Sequence, residues 1–329
     1  MSLSKIKAVA ALVVATISIG NSFAEESQLP ALSGHAELRL GEAERTRSAA
    51  HTQILGVSRA GSRIVAVGDH GVVLRSDDGG KTFNQARSVP VDSTLTAVSF
   101  VDSKNGWAVG HWGVIIRTRD GGETWVLERS DTKVDQPLFS VHFDDAEHGW
   151  AVGLWSLLLH TEDGGRTWHS VSAPIPPGAK KADRNFFSVV GDGKGSLYIA
   201  CEQGLVLRSR DGGQTWSYSQ TGYDGSLWSA VVLNDGTLIV GGLRGTIYRS
   251  TDNGETWQRS ESQSKSSITD FSVHSGKIVA SALDGVVLES KDGGKTFSST
   301  QRSGREALTA IVQSASGSLV LFSQGGIAR

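Results

Sequence analysis

Six aspartates recur along this chain at intervals of 40 to 48 residues, each within the motif Ser/Thr-x-Asp-x-Gly-x-Thr-Trp/Phe. They are Asp78, Asp120, Asp163, Asp211, Asp252 and Asp292. A carboxylate in a tight turn accepts backbone N–H bonds, the Gly allows a positive φ, and the aromatic ring buries apolar surface. Six copies with one carboxylate each are typical of a repeated structural turn. We therefore interpret them as structural Asp-box residues, and the sequence indicates no catalytic residue, metal site or cofactor.

The residues before each motif have the pattern of short antiparallel strands. The clearest copy reads Leu95-Thr-Ala-Val-Ser-Phe100, a polar turn, Gly106-Trp-Ala-Val-Gly110, a short turn, and then Val114-Ile-Ile-Arg117. Four such strands in each repeat form one blade of a propeller. Equivalent first strands begin at Ile54, Leu95, Leu138, Phe186, Leu227, Ile268 and Leu308. The sequence thus predicts an all-β fold, a seven-bladed β-propeller of four-stranded blades over residues 54–329.

The seventh repeat is incomplete, because the chain stops at Arg329 after the third strand. A segment around Ala36 to Arg47, whose apolar part is Leu38-Arg39-Leu40, lies at the right distance before the first blade. We expect this N-terminal strand to close the last blade, which would remove an exposed sheet edge. The closing strand belongs to an N-terminal segment of residues 25–53.

Residues 1–24 have the features of a secretory signal peptide. Lys5 and Lys7 precede the apolar run Ala8–Ile19, and Ser22-Phe23-Ala24 is a small-x-small cleavage site. We expect cleavage after Ala24, export to the periplasm, and no integral membrane segment in the mature chain. No cysteine follows the cleavage site, so no lipid anchor is expected. The single cysteine, Cys201, excludes an internal disulfide.

The charge balance argues against a nucleic-acid partner. The chain has 32 Lys and Arg against 34 Asp and Glu, a formal net charge of −2. Nucleic-acid binders use a strongly basic surface.

An arginine stands directly before four of the motifs: Arg75, Arg117, Arg208 and Arg249. His160 and Glu289 occupy the same position in two other repeats. These arginines could form a patch that binds carboxylates. Alternatively, each pairs with an acid of the neighbouring blade, an interpretation we favour slightly.

The turns between the second and third strands differ from blade to blade, although the flanking strands repeat. In a four-stranded blade these turns share one face with the connections between blades. Loops on a rigid frame often carry binding, and exposed tryptophans are typical hot spots. The candidate binding residues on this face are His70, His111, Trp112, Trp155, Glu202, Gln203, Arg244 and Asp284. The alternative is that nothing constrains these turns.

The longest connection, Ser172 to Asn185, contains three prolines followed by Lys180, Lys181 and Arg184. It is either a docking loop or a solvated spacer, and the sequence does not favour one of the two.

The repeat Gly-Trp-Ala-Val-Gly…Arg-Thr-x-Asp-Gly-Gly-x-Thr-Trp, as in Gly106 to Trp125, resembles the photosystem II stability/assembly factor family. The resemblance covers nearly all of the mature chain. It implies a non-enzymatic propeller that binds a membrane-protein subunit during assembly through an arginine-rich surface. Cyanobacterial members are often lipoproteins, whereas this sequence has no lipid-accepting cysteine. The slightly acidic charge also differs from an arginine-rich surface.

Three functions remain open at this stage. The leading hypothesis is an exported, non-catalytic assembly factor for a membrane-protein complex, with an envelope transporter as a possible client in a non-photosynthetic bacterium. The second is a permanent structural subunit of an envelope complex. The third is a glycoside hydrolase of the sialidase kind, which would share the Asp-box and use a cluster of Tyr223, Glu202 and Arg244. The arginine trio typical of sialidases has no matching positions here.

Overall fold

Short β-branched runs separated by Gly-containing turns fold into 27 strands within residues 40–329, which are the residues that the computed structural model describes. The strands run antiparallel within seven sheets. This part of the chain has no α-helix, and its helical segments are single 3-10 turns: Ala49–His51, Asp69–Gly71, His111–Gly113, Leu154–Ser156, Glu202–Gly204 and Leu243–Gly245. None of them is long and apolar enough to cross a membrane.

The seven sheets follow one another along the chain and are the predicted blades. Their first strands are Ile54–Ala60, Leu95–Phe100, Leu138–Phe143, Phe186–Gly191, Leu227–Val232, Ile268–His274 and Leu308–Gln313. Their second strands are Arg63–Gly68, Gly106–Gly110, Gly149–Gly153, Leu197–Cys201, Leu238–Gly242, Lys277–Ala282 and Leu319–Ser323. The third strands are Val73–Ser76, Ile115–Thr118, Leu158–Thr161, Leu205–Ser209, Ile247–Ser250, Val286–Ser290 and Gly326–Ala328. The fourth strands are Asn84–Gln85, Val126–Arg129, His169–Ser170, Ser217–Gln220, Gln258–Arg259 and Ser298–Gln301.

The hydrophobic core lies between the blades. It divides into seven clusters of buried side chains, and each cluster combines residues of two adjacent sheets. At the junction of blades 2 and 3, for example, the Trp107 ring stacks on Phe143 with ring centroids 3.5 Å apart. The second strands are buried along almost their whole length, because both of their faces meet a neighbouring sheet. The predicted seven-bladed propeller is confirmed.

The six motif aspartates hold the turns between third and fourth strands. In the second blade Asp120 Oδ1 accepts bonds from the Thr118 hydroxyl (2.8 Å) and the Thr124 N–H (3.0 Å), and Oδ2 accepts the Thr124 hydroxyl (2.6 Å). The other five aspartates make the same kind of bonds. We call these segments the aspartate turns. Each aspartate turn also contacts the preceding blade. In the turn of blade 3, for example, the Gly164 carbonyl accepts a bond from Trp107 Nε1 of blade 2 (2.9 Å).

The seventh blade has three strands among the described residues. Residues 40–47 do not form the fourth strand that we expected to close this blade. This segment lies along the first blade instead. The N–H of Ala43 donates to the Val89 carbonyl (3.0 Å) and that of Thr46 to Gln85 Oε1 (3.0 Å). These partners at the edge of blade 1 satisfy its backbone without a sheet. Residues 36–39 of the predicted strand, and the signal peptide, lie outside the described residues.

The ring closes through side chains packed between the seventh and first blades. Ile54, Ile64 and Leu74 of blade 1 form one buried cluster with Val312 and Phe322 of blade 7. The Phe322 ring also meets the Phe83 ring edge-on at 5.7 Å. The chain enters the ring beside its end, because the 3-10 turn Ala49–His51 contacts strand Gly326–Ala328.

We predict that Phe322→Ala destabilises the protein by about 3–5 kcal/mol, because a fully buried ring is lost from the closing junction. Urea unfolding followed by tryptophan fluorescence measures the change. The control is Val126→Ala, which removes an apolar side chain that is 61% exposed and should change the unfolding free energy by less than about 0.5 kcal/mol. Equal effects of the two substitutions would contradict packing as the means of closure.

We also predict that stability falls between about pH 4 and pH 2 because the aspartate turns take up protons. The Thr167 N–H and hydroxyl lower the pKa of Asp163 to about 2, and the Thr215 hydroxyl and N–H lower that of Asp211 to about 2, from 3.8. An acid with a lowered native pKa stabilises the fold above its unfolded pKa and loses this effect as the pH falls through the native pKa. The urea midpoint measured from pH 6 to pH 2 should show this decline.

The matched variant is Asp163→Asn, which should make the decline of the urea midpoint less steep. Asp224→Asn removes an exposed carboxyl outside the aspartate turns and serves as the control. If both variants follow the wild-type curve, the aspartate turns do not account for the acid sensitivity.

Candidate functional site

The turns between second and third strands share one backbone conformation. Their second residues have left-handed φ values between 54° and 66°: His70, Trp112, Trp155, Gln203, Arg244 and Asp284. In five of the six turns a glycine follows, because the connection to the next blade passes very close. A Cβ on Gly204, for example, would lie 1.8 Å from the Tyr223 carbonyl oxygen. Blade 3 has Ser156 at this position, and its N–H and hydroxyl both donate to the Arg184 carbonyl (2.7 and 3.0 Å).

Side chains of the blade connections hold these turns in place. The Trp112 N–H donates to Asp135 Oδ1 (2.7 Å), and the Trp155 N–H donates to Asn185 Oδ1 (3.0 Å). In blade 5 the Arg244 N–H donates to Ser267 Oγ (3.1 Å). Turns and connections therefore lie on one face and form a continuous frame, which we call the connection face. The aspartate turns lie on the opposite face.

The two turn tryptophans differ in exposure. Trp155 is 57% exposed, whereas Trp112 is partly buried against the core cluster between blades 1 and 2. His111 beside it is bonded through Nδ1 to Asp135 Oδ2 (2.9 Å). Of the two candidate hot spots, Trp155 thus presents most of its ring to a partner.

Two further apolar side chains are exposed on the connections that flank Trp155. Val134 is 52% exposed on the connection from blade 2 to blade 3, and Ile175 is 59% exposed on the connection from blade 3 to blade 4. The exposed Lys133, Lys180 and Lys181 lie on the same two connections. We call these six residues the connection-face patch. Val134 and Ile175 were missed from the sequence, because single β-branched residues in loops carry no periodic signal.

The remaining candidate residues are distributed around the connection face. His70, Gln203, Arg244 and Asp284 are exposed on four different blades. Asp284 forms an ion pair with Arg305 (2.7 Å), which lowers its pKa.

Glu202 has a supporting position, since its carboxylate accepts bonds from both the side chain and the backbone of Asn185 (2.8 and 3.2 Å). Asn185 in turn holds Trp155. The structure therefore links Glu202 to Trp155 through Asn185, just as Asp135 links the neighbouring residues His111 and Trp112.

The four arginines before the aspartate turns lie at separate blade junctions. Arg75 pairs with Glu123 of the next blade, and Arg208 pairs with Glu255 of the next blade (2.8 Å). Arg117 and Arg249 donate to the carbonyls of Gly164 and Gly293 in the next blade. Arg75 and Arg208 thus pair with an acid of the neighbouring blade, as in the second interpretation, whereas Arg117 pairs with Glu128 of its own blade and Arg249 has no acidic partner among the described residues.

Blade 3 has His160 in place of the arginine. The His160 ring stacks on Trp150 with centroids 4.1 Å apart, and burial lowers its pKa. A groove of about 440 Å³ lies between blades 3 and 4 on the aspartate-turn face, lined by His160, Glu162 and Gln214 among others.

The residues of the sialidase hypothesis are engaged in structural bonds. The Tyr223 hydroxyl donates to the Leu243 carbonyl (3.1 Å), and Glu202 accepts the bonds from Asn185 described above. No bond between Tyr223 and Glu202 or Arg244 exists in the described part of the chain. Within residues 40–329, no group of three or more His, Cys, Asp or Glu side chains is arranged to hold a metal ion.

Comparison with known proteins places these features in a family. The sequence profile of the family described as photosynthesis system II assembly factor YCF48 matches residues 85–175 and 127–326 in two overlapping matches. The chain belongs to this family. Comparison with curated protein sequences found no match.

Several solved structures share the fold of this YCF48-family chain. "YCF48 bound to D1 peptide" is 20% identical with a TM-score of 0.67, and the match covers 84% of this chain and 92% of that one. "YCF48 from Cyanidioschyzon merolae" is 18% identical with a TM-score of 0.66, covering 87% and 96%. "Streptogramin B lyase structure" is 12% identical with a TM-score of 0.70, covering 88% and 96%. At these identities the likeness establishes the propeller fold.

For this YCF48-family chain we predict that Arg117→Ala lowers the unfolding free energy by about 2 kcal/mol, between the values typical of exposed and of buried ion pairs. The reason is that Glu128, which is 2.6 Å from the Arg117 guanidinium and only 12% exposed, loses its partner. Urea unfolding provides the measurement. The control Arg210→Ala removes a guanidinium that is 49% exposed and should cost less than about 1 kcal/mol. A neutral Arg117→Ala would instead favour a binding role for this arginine.

Proposed function

We propose that this protein is an exported, non-catalytic binding factor that assists the assembly of a membrane-protein complex, and that the connection-face patch binds its client. Membership of the YCF48 family supports a role in assembly. A related structure is described as YCF48 with a D1 peptide, which supports a membrane-protein segment as the class of partner. The observation that carries the proposal is the exposure of Trp155, together with that of Val134 and Ile175 on the two connections of its blade, on a frame fixed by hydrogen bonds.

The geometry of the patch suits binding because its backbone is already held in one conformation before a partner arrives. The Trp155 backbone is already fixed by Asn185, and Ser156 is fixed by the Arg184 carbonyl. Fixing a loop backbone before binding lowers the entropic cost of association. A tryptophan with a mostly exposed ring then contributes a large apolar area when it is covered.

The charges around the patch define the kind of segment that fits it. Lys133, Lys180 and Lys181 are exposed on the same two connections, and Lys181 also lies 3.4 Å from the Asp183 carboxylate. Surface lysines attract acidic partners and speed their association, an effect that salt weakens. We propose that the client segment combines apolar side chains with acidic ones, and that export through the N-terminal signal peptide brings the protein to the compartment where this segment is exposed.

We predict that Trp155→Ala weakens client binding by about 30-fold or more, the effect of losing about 2 kcal/mol at a hot spot. Thermal stability should change little, because Trp155 is 57% exposed. Client capture is measured in cells with a photo-crosslinking amino acid at Ile175, followed by identification of the captured protein.

The control places the same crosslinker at Val126, an exposed apolar position on the fourth strand of blade 2. Capture from Ile175 alone of one membrane protein, whose level also falls in a deletion strain, is the expected result. If Trp155→Ala leaves that capture unchanged, the patch is not the binding site. If deletion leaves the captured protein at its normal level, the assembly role is wrong.

A further inference from the structure

The first strands of the blades line a channel along the propeller axis. Its volume is about 210 Å³, and its wall is formed by residues from blades 1 to 6. Leu55, Phe139, Phe187 and Trp228 contribute apolar atoms to the wall. The larger part of its surface is polar, and its polar residues include Thr96, Ser140, Ser229 and Thr269. The Phe139 and Phe187 rings stack with centroids 5.8 Å apart. Trp228 is partly exposed and also lines this channel.

The channel contains one carboxyl group among the described residues that line it. This is Asp270, the third residue of the first strand of blade 6. The strands on either side, Leu227–Val232 and Leu308–Gln313, have no ionisable residue. The charged residue of the adjoining second strand, Lys277, is bonded to Glu289 (2.7 Å). No cation of the described structure therefore balances the Asp270 charge.

The structural bonds of Asp270 do not require a carboxylate. Its Oδ2 accepts the N–H of Ile311 from the next blade (3.0 Å), and its Oδ1 accepts the N–H of Phe271 (2.8 Å). At the equivalent position of blade 3, the hydroxyl of Ser140 accepts the N–H of Val189 from the next blade (3.1 Å). A serine thus makes the same tie between blades without a charge.

Burial makes the negative charge of Asp270 unfavourable. Removal of the carboxylate from bulk water raises its pKa to about 7, although the N–H bonds and the Ser229 hydroxyl act in the opposite direction. An uncompensated carboxylate in such a place is stabilised by a cation that enters beside it. The aromatic and aliphatic side chains nearby offer an apolar surface to the chain that carries the cation.

We propose that the central channel binds an alkylammonium group, such as a lysine side chain of a partner, with its aliphatic stem along Phe139, Phe187 and Trp228 and its ammonium on Asp270. The proposal rests on the channel lining, on the single carboxyl group and on the comparison with Ser140. It is separate from the connection-face patch and does not require it.

The test uses n-pentylammonium chloride as the probe and n-pentanol as its neutral analogue. Calorimetry at pH 8 should show binding of the ammonium by wild type, and at least tenfold weaker binding of the alcohol. Asp270→Ser keeps a hydroxyl acceptor, as in blade 3, and should lose the preference for the ammonium. Asp270→Asn is the second variant if the serine variant does not fold.

The pH dependence distinguishes this site from a general affinity for the apolar wall. Binding of the ammonium should weaken by about 100-fold between pH 8 and pH 5, as the carboxyl with a pKa of about 7 becomes protonated. Binding at pH 7 should release protons, seen as heats that differ between buffers of different ionisation enthalpy. Equal binding of ammonium and alcohol, equal binding by Asp270→Ser, or no binding at pH 8 would each overturn the proposal.

Discussion

The structure depends on one constraint: no blade can bury its own apolar faces. A sheet must bury its apolar faces against another element, and the second strand here is apolar on both sides. Each sheet therefore needs a neighbour on either face, and the only arrangement that gives every sheet two neighbours is a closed ring. The seven core clusters, one for each junction, are the direct result. The aspartate turns and the arginines add polar ties at the same junctions.

The ring could be predicted from the sequence because the same strand and turn pattern occurs in seven repeats. Strand type, turn chemistry and the aspartate bonds are local, so each copy confirms the interpretation of the others. How the last blade is closed was harder to predict from the sequence. The segment around Leu40 has strand-like residues, yet its described part obtains its hydrogen bonds from Gln85, Val89 and Asp92 of blade 1. Nothing local distinguishes those partners from a sheet edge.

The candidate site could be predicted only in part, for a similar reason. The turns that vary were visible by comparison of the repeats, and they do lie together with the connections on one face. The difference between Trp112 and Trp155 was not visible, because it depends on whether a neighbouring cluster accepts the ring. The role of Asp270 was also hidden. The position of a single acidic residue in a strand becomes informative only when the first strands of six blades are seen to line one channel.

The junction of blades 3 and 4 is held together differently on the two faces of the propeller. On the connection face it is fastened by Ser156, Asn185 and Glu202, whereas on the opposite face His160 replaces the arginine tie and a groove separates the sheets. The Trp150 and Trp216 rings still meet across this junction with centroids 5.3 Å apart. Aromatic packing therefore takes the place of the polar tie that an arginine makes at four other junctions.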